Sequence, residues 1–203
     1  MLRIALYLFE NVEALDFAGP YEVFTTASRV AQRLWPEQSA PFSLFSVAQT
    51  ASPVRARAGL SINPDTDFAA LTEAVDVLIV PGGVVDEQLN NAAVIDWIRS
   101  TSAGAQLSAS VCTGAFLLAK AGVITQGEVT THWEDQADLA QMFPALRVLN
   151  GPRWVELGTV VTSAGIAAGI DMCLHLVGRL HSVQLAEATA RQMDYPWQPQ
   201  AVI

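Results

Sequence analysis

Five short apolar runs, Arg3–Phe9, Phe42–Ala48, Val75–Val80, Ala105–Val111 and Thr159–Ser163, alternate with amphipathic stretches. That alternation constrains the chain more than any other feature. The runs are apolar at nearly every position, as strands covered on both faces must be. The stretches between them, Pro20–Leu34, Asp86–Ser102, Thr113–Ala121, Glu134–Phe143 and Ile166–Leu180, carry helical periodicity. Strand and helix in turn, with short connections, predict an α/β fold: a mostly parallel sheet with helices on both faces. Gly19-Pro20 reads as a helix start, because proline in the first turn gives up no bonded N–H. Val54–Ile62 reads as a small hairpin and Arg147–Leu157 as a second excursion; the tail after Pro196 is expected at the surface.

The length of 203 residues suits a single domain over 1–203, with no internal repeat or linker. Eleven Lys and Arg against 20 Asp and Glu give a net charge of −9, which speaks against the basic face that nucleic acid requires. The single lysine, Lys120, disfavours Schiff-base chemistry. No apolar run approaches the ~20 residues of a membrane span, and the first nine residues lack the cleavage site of a signal peptide. Two cysteines make no disulfide framework, and clusters with zinc-ligand spacing are absent. The expected protein is a cytoplasmic, acidic domain that handles a small molecule without metal or organic cofactor.

In such sheets ligands bind beyond the carboxyl ends of the strands, where strand order switches. Three segments fall there. In Ser110-Val111-Cys112-Thr113-Gly114, a strand ends, a helix begins, and Cys112 occupies the turn. This is the logic of a nucleophile elbow, and a helix N-terminus there is expected to lower the thiol pKa toward thiolate. The alternative is an inert buried cysteine. In Val80-Pro81-Gly82-Gly83, the glycines free backbone N–H groups that, with the N–H of Thr113, could stabilise charge on a substrate; the same tripeptide also makes ordinary turns. In Glu13 to Glu22, Asp16 and Glu22 are candidate acids, with helix capping and a first-turn dipole role as their structural alternatives.

Together these segments resemble the DJ-1/PfpI superfamily. The resemblance runs through Pro81-Gly82-Gly83, Cys112-Thr113-Gly114, Thr130-Thr131-His132-Trp133, Thr162-Ser163-Ala164-Gly165-Ile166 and Ala190-Arg191-Gln192-Met193. It implies a flavodoxin-like three-layer sandwich related to class I glutamine amidotransferases. Within the superfamily the chain looks most similar to isonitrile hydratases and to the sensor domains of AraC-type regulators. The superfamily places an acid four residues before a helix-starting proline; that position is Asp16, and Glu22 becomes a structural residue. Thr113 stands where protease-like members carry His, which argues against a Cys-His peptidase. His132 is expected beside the site, as pocket wall or as catalytic helper.

The resemblance implies hydration of an isonitrile to an N-substituted formamide. Cys112 would attack as thiolate, Asp16 would serve as acid and then base, and Thr113 would orient water through its hydroxyl and N–H. Gly82, Gly83 and His132 would contact the substrate. It also implies a homodimer, with Pro20–Leu34 as an expected contact. Glyoxalase-like or amidase-like chemistry at the same thiol, a non-catalytic small-molecule sensor and a redox sensor are the alternatives. Only 23 residues follow Leu180, too few for paired DNA-reading helices. His175, His181, Cys173, Trp97, Trp133, Trp154 and Asp171 are expected in packing or structural roles.

Overall fold

The computed structural model describes residues 1–197. Its strands and helices, in chain order, are β1 (Leu2–Tyr7), α1 (Ala14–Leu34), β2 (Phe42–Ala48), β3 (Val54–Arg55), β4 (Ser61–Ile62), β5 (Thr66–Asp67), β6 (Val77–Val80), α2 (Asp86–Leu89), α3 (Ala92–Gly104) and β7 (Leu107–Val111). They continue with α4 (Gly114–Lys120), β8 (Gly127–Val129), α5 (Gln136–Met142), β9 (Leu146–Val148), β10 (Trp154–Leu157), β11 (Val160–Ser163), α6 (Ala168–Leu180) and α7 (Val183–Gln192). The main sheet has the order β10-β11-β7-β6-β1-β2-β5. Every neighbouring pair is parallel except β10 with β11.

The apolar runs explain this architecture. All residues of β6 and β7 are buried. Side chains alternate across the sheet with period two. Ile4, Leu6, Val77, Ile79 and Val111 face the layer built by α1, α6 and α7. Ala5, Tyr7, Leu78 and Val80 face the layer containing α3 and α4. The result is the flavodoxin-like three-layer α/β sandwich that the sequence predicts. Among the described residues, no helix is long and apolar enough to cross a membrane.

Several boundaries differ from expectation. Helix α1 begins at Ala14, so Pro20 lies inside it rather than at its start. The prolyl nitrogen cannot donate to the Asp16 carbonyl one turn earlier, and burial of Pro20 in the α1 interface offsets that loss. Asp86–Ser102 is two helices, because the chain breaks at Asn90-Asn91 and the Asn91 side chain caps α3 through the Val94 N–H at 3.4 Å. Val54–Ile62 is the expected antiparallel pair. Arg147–Leu157 divides between β9, which joins β8 in a small parallel sheet, and β10, which closes the main sheet. Of the stretch after Pro196, residues 198–203 lie outside the described residues.

Candidate active site

The switch in strand order falls at β1, from which β2 lies on one side and β6 on the other. The loops after β1, β6, β7 and β11 therefore leave the same edge of the sheet and converge. Cys112 follows β7 directly and adopts a φ of 55°, the left-handed region that non-glycine residues seldom occupy. Neighbouring segments hold it there. Its N–H donates to the Ser163 and Ala164 carbonyls, each at 3.3 Å, and its own carbonyl accepts from Thr131 Oγ1 at 2.8 Å. A strained residue fixed from two adjacent loops is an arrangement that orients a side chain.

Asp16 lies in the first turn of α1 and is fully buried. Gly82 N–H donates to its Oδ2 at 3.1 Å, while Oδ1 has no hydrogen-bond partner among the described residues. Burial pushes the Asp16 carboxyl up to about 7; the Gly82 amide opposes the shift and nearby Glu13 adds to it. The Cys112 thiol also opposes it, as a donor toward the carboxylate. Cys112 is itself only 8% exposed. Its burial, reinforced by the charge of Asp16, pushes the thiol up to about 12. The N–H groups of Thr113 and Ile166 face the sulfur and favour its anion, and Asp135 acts against it.

This corrects the expectation of a resting thiolate. Helix α4 is only seven residues long, and its amides do not offset desolvation beside a carboxylate. Cys112 and Asp16 form a coupled pair. Between the two titrations the pair holds one proton, shared between the sulfur and the carboxylate.

The expected donors are also differently engaged. Gly82 N–H is committed to Asp16, and Gly83 N–H donates to Thr113 Oγ1 at 2.9 Å. The Thr113 hydroxyl returns a bond to the Gly83 carbonyl, also at 2.9 Å, so its proton is not free for water. These residues hold the acid and the elbow in register. A Cβ on Gly82 would lie 2.7 Å from Thr113 N and 2.8 Å from Asp16 Oδ2, so this close approach demands glycine. The amides left facing the sulfur are those of Thr113 and Ile166. Ile166 is not among the candidates that the sequence offers, although it follows β11, the neighbour of β7.

His132 stands apart. Its Nδ1 accepts from Glu134 N–H at 3.4 Å and lies 3.4 Å from Asp135 Oδ2. Its ring packs against the backbone of Gly165, where a Cβ would overlap it. Among the described residues no hydrogen bond joins it to Cys112, Asp16 or Thr113; it supports the 164–166 loop from behind. Glu22 is outside the site, accepting from Thr26 Oγ1 at 2.7 Å and Arg29 Nη2 at 3.0 Å. Cys173 is wholly buried on α6, and His175 and His181 pack beside Trp154 and Trp35. An open cleft of about 610 Å³ borders the elbow, with Gly83 and Thr113 in its wall. Asp135, absent from the candidates read in the sequence, also lines it.

Comparison with known proteins fits this geometry. The chain is 34% identical over 195 residues to an isonitrile hydratase of Pseudomonas putida, spanning 96% of this chain and 78% of that protein. It is 29% identical over 195 residues to the HTH-type transcriptional regulator GbdR of Pseudomonas aeruginosa, and spans only half of that protein's length. A crystal structure of a ThiJ/PfpI family protein from Pseudomonas syringae superimposes with a TM-score of 0.82 at 27% identity, over 99% of this chain and 78% of that one. Residues 2–179 match the DJ-1/PfpI family as a whole, and the chain belongs to that family.

Proposed function

We propose that the protein is a cytoplasmic, homodimeric isonitrile hydratase that converts R–N≡C and water to R–NH–CHO through a cysteine thioimidate. The observation that carries this reading is the buried Cys112–Asp16 pair, which holds one proton between a nucleophile and a base. An isonitrile carbon accepts a nucleophile only as it gains a proton, so the pair supplies both components of the addition. The Cys112 sulfur bonds to the isonitrile carbon while its proton passes through Asp16 to the same carbon, giving R–N=CH–S–Cys112. Asp16 then takes a proton from water as the water oxygen adds to that carbon, and returns it to nitrogen. The tetrahedral adduct R–NH–CH(OH)–S–Cys112 collapses, its hydroxyl proton moves through Asp16 to sulfur, and the formamide departs. The Thr113 and Ile166 amides stabilise negative charge on the leaving sulfur. The expected result with cyclohexyl isocyanide is N-cyclohexylformamide from the parent and none from Cys112→Ala. Loss of methylglyoxal, or ammonia release from simple amides, without formamide would replace this reading by glyoxalase-like or amidase-like chemistry.

A second reading has support of its own in the regulator-named relatives, which match 95% and 69% of the chain. In it the same pocket binds a small molecule without turning it over. Saturable binding with no product from any of the three substrate classes would favour this sensor role. The dimer is tested by sedimentation equilibrium. The half-exposed Leu15 and Tyr21 of α1 are apolar groups that such an interface would cover.

A further inference from the structure

The loop between β11 and α6 carries much of what surrounds the thiol. Ser163 and Ala164 accept the Cys112 N–H, the Ile166 amide faces the sulfur, and Ile166 itself has a φ of 46°. A β-branched residue in the left-handed region is costly and persists only where its surroundings dictate it. Both ends of this loop are tied to each other. At the near end, Ala164 N–H donates to the Arg153 carbonyl at 2.9 Å. At the far end the chain enters α6, and Asp171 stands in the first turn of that helix. The side chains of these two anchors meet. Arg153 Nε donates to Asp171 Oδ2 at 2.6 Å, its Nη2 pairs with the same oxygen, and Tyr195 Oη donates there at 2.8 Å. Asp171 is only 5% exposed, whereas Arg153 is half-exposed. An ion pair with a desolvated carboxylate adds little net stability, so register explains it better.

We propose that Arg153 and Asp171 are positioning residues for Cys112: their ion pair clamps the loop from Ala164 to Ala167, holding the left-handed turn of the cysteine and keeping the Ile166 amide against the sulfur. The effect on turnover rests on the hydratase reading. The effect on the thiol does not.

The test is alkylation of Cys112 by iodoacetamide, in which the thiolate forms an S–C bond and releases iodide. Cys173 is too deeply buried to compete. An amide that favours the sulfur anion raises the thiolate fraction, so its withdrawal slows capture. Loss of stability alone acts in the other direction, because opening exposes the thiol. Asp171→Asn keeps the size and an acceptor of the native residue, and Arg153→Gln leaves the carbonyl that holds Ala164. In each, alkylation at about pH 8 is expected to slow by about tenfold, as for a thiol raised by about one pKa unit. The double variant should slow no further than either single one, because the two side chains act as a unit. Glu156→Gln is the control. It breaks the 2.8 Å pair of Glu156 with Arg179, which joins the same strand β10 to the last turn of α6, away from the loop. It should keep the parent rate. Alkylation at the parent rate or faster in either single variant, an additive loss in the double variant, or an equal slowing in the control overturns the inference.

Turnover separates this inference from the reading beneath it. With cyclohexyl isocyanide, kcat of the two single variants should fall about tenfold while KM stays at the parent value. Hydration by the parent with no loss of kcat in the variants overturns the clamp alone. Slowed alkylation in the variants, from a parent that hydrates no isonitrile, overturns the hydratase reading and leaves the clamp standing.

Discussion

At Cys112 the backbone does the positioning and the carboxylate sets the protonation. A left-handed φ held by Ser163, Ala164 and Thr131 directs the side chain toward Asp16 and toward the amides of Thr113 and Ile166. In the proposed mechanism the reactive form carries a single proton on the pair, because a protonated Asp16 cannot accept the proton of sulfur. With Asp16 raised to about 7, kcat/KM for an isonitrile should climb with pH and level off above that value. A pH–rate profile that is flat from about pH 5.5 to 8.5 would contradict the assignment. Gly82→Ala should lower kcat/KM by about a hundredfold, because its Cβ displaces Asp16 and Thr113 together. Circular dichroism of the variant should remain that of the parent. That Asp16, Gly82, Gly83, Cys112 and Thr113 meet is legible in the sequence, since each lies just beyond the carboxyl end of a strand. The state of the proton is not. A helix N-terminus is visible as a motif, whereas desolvation beside a buried carboxylate depends on how loops from four strands close over the thiol.

Helix and strand boundaries show a similar division. The buried strands were readable because a strand covered on both faces needs apolar residues throughout, and β2 matches its expected range, Phe42–Ala48, to the residue. Helix α1 starts at Ala14, six residues before the Pro20 start that the sequence predicts. Proline is the usual marker of a helix start, and burial of α1 against α6 and α7 overrides its cost in the interior. That shift changes the site, since it places Asp16 on a helix turn rather than in a loop. Helix α7 is not legible as an apolar stripe, because its buried face carries the small residues Ala186, Thr189 and Ala190 around the single large Leu185. Its N-cap is Ser182, which accepts from Leu185 N–H at 3.2 Å. Ser182→Ala should cost about 1 kcal/mol in urea unfolding and leave isonitrile turnover unchanged. At the 164–166 loop, Gly165→Ala would press on the His132 ring and move the Ile166 amide. It should reduce kcat with little change in KM, the signature of support lost in the transition state.

Across the molecule, function depends on a topology that brings the ends of β1, β6, β7 and β11 to one edge. The alternation of strands and helices announced that class of fold, but not strand order, which arises from long-range pairing and decides which loops meet. The same convergence buries a carboxylate at some cost. The Asp16 pKa is raised on folding from an ordinary 3.8, so its contribution to stability is greatest below that value and is lost as pH rises through about 7. Asp16→Asn keeps an acceptor for Gly82 N–H and removes the buried charge. Relative to the parent, the variant should gain stability as pH rises from about 4 to 8, by at most about 4 kcal/mol. Urea midpoints at the two pH values check it, and a variant that loses ground with pH would refute the assignment.

Covalent capture of an isonitrile by Cys112 is the step on which the functional account turns. The most direct measurement is rapid-quench mass spectrometry of the protein mixed with cyclohexyl isocyanide. The account predicts a transient mass gain of one isonitrile on the peptide containing Cys112, decaying as formamide accumulates, with neither signal in Cys112→Ala. Formamide produced at the parent rate by Cys112→Ala, with no adduct on the parent, would contradict it.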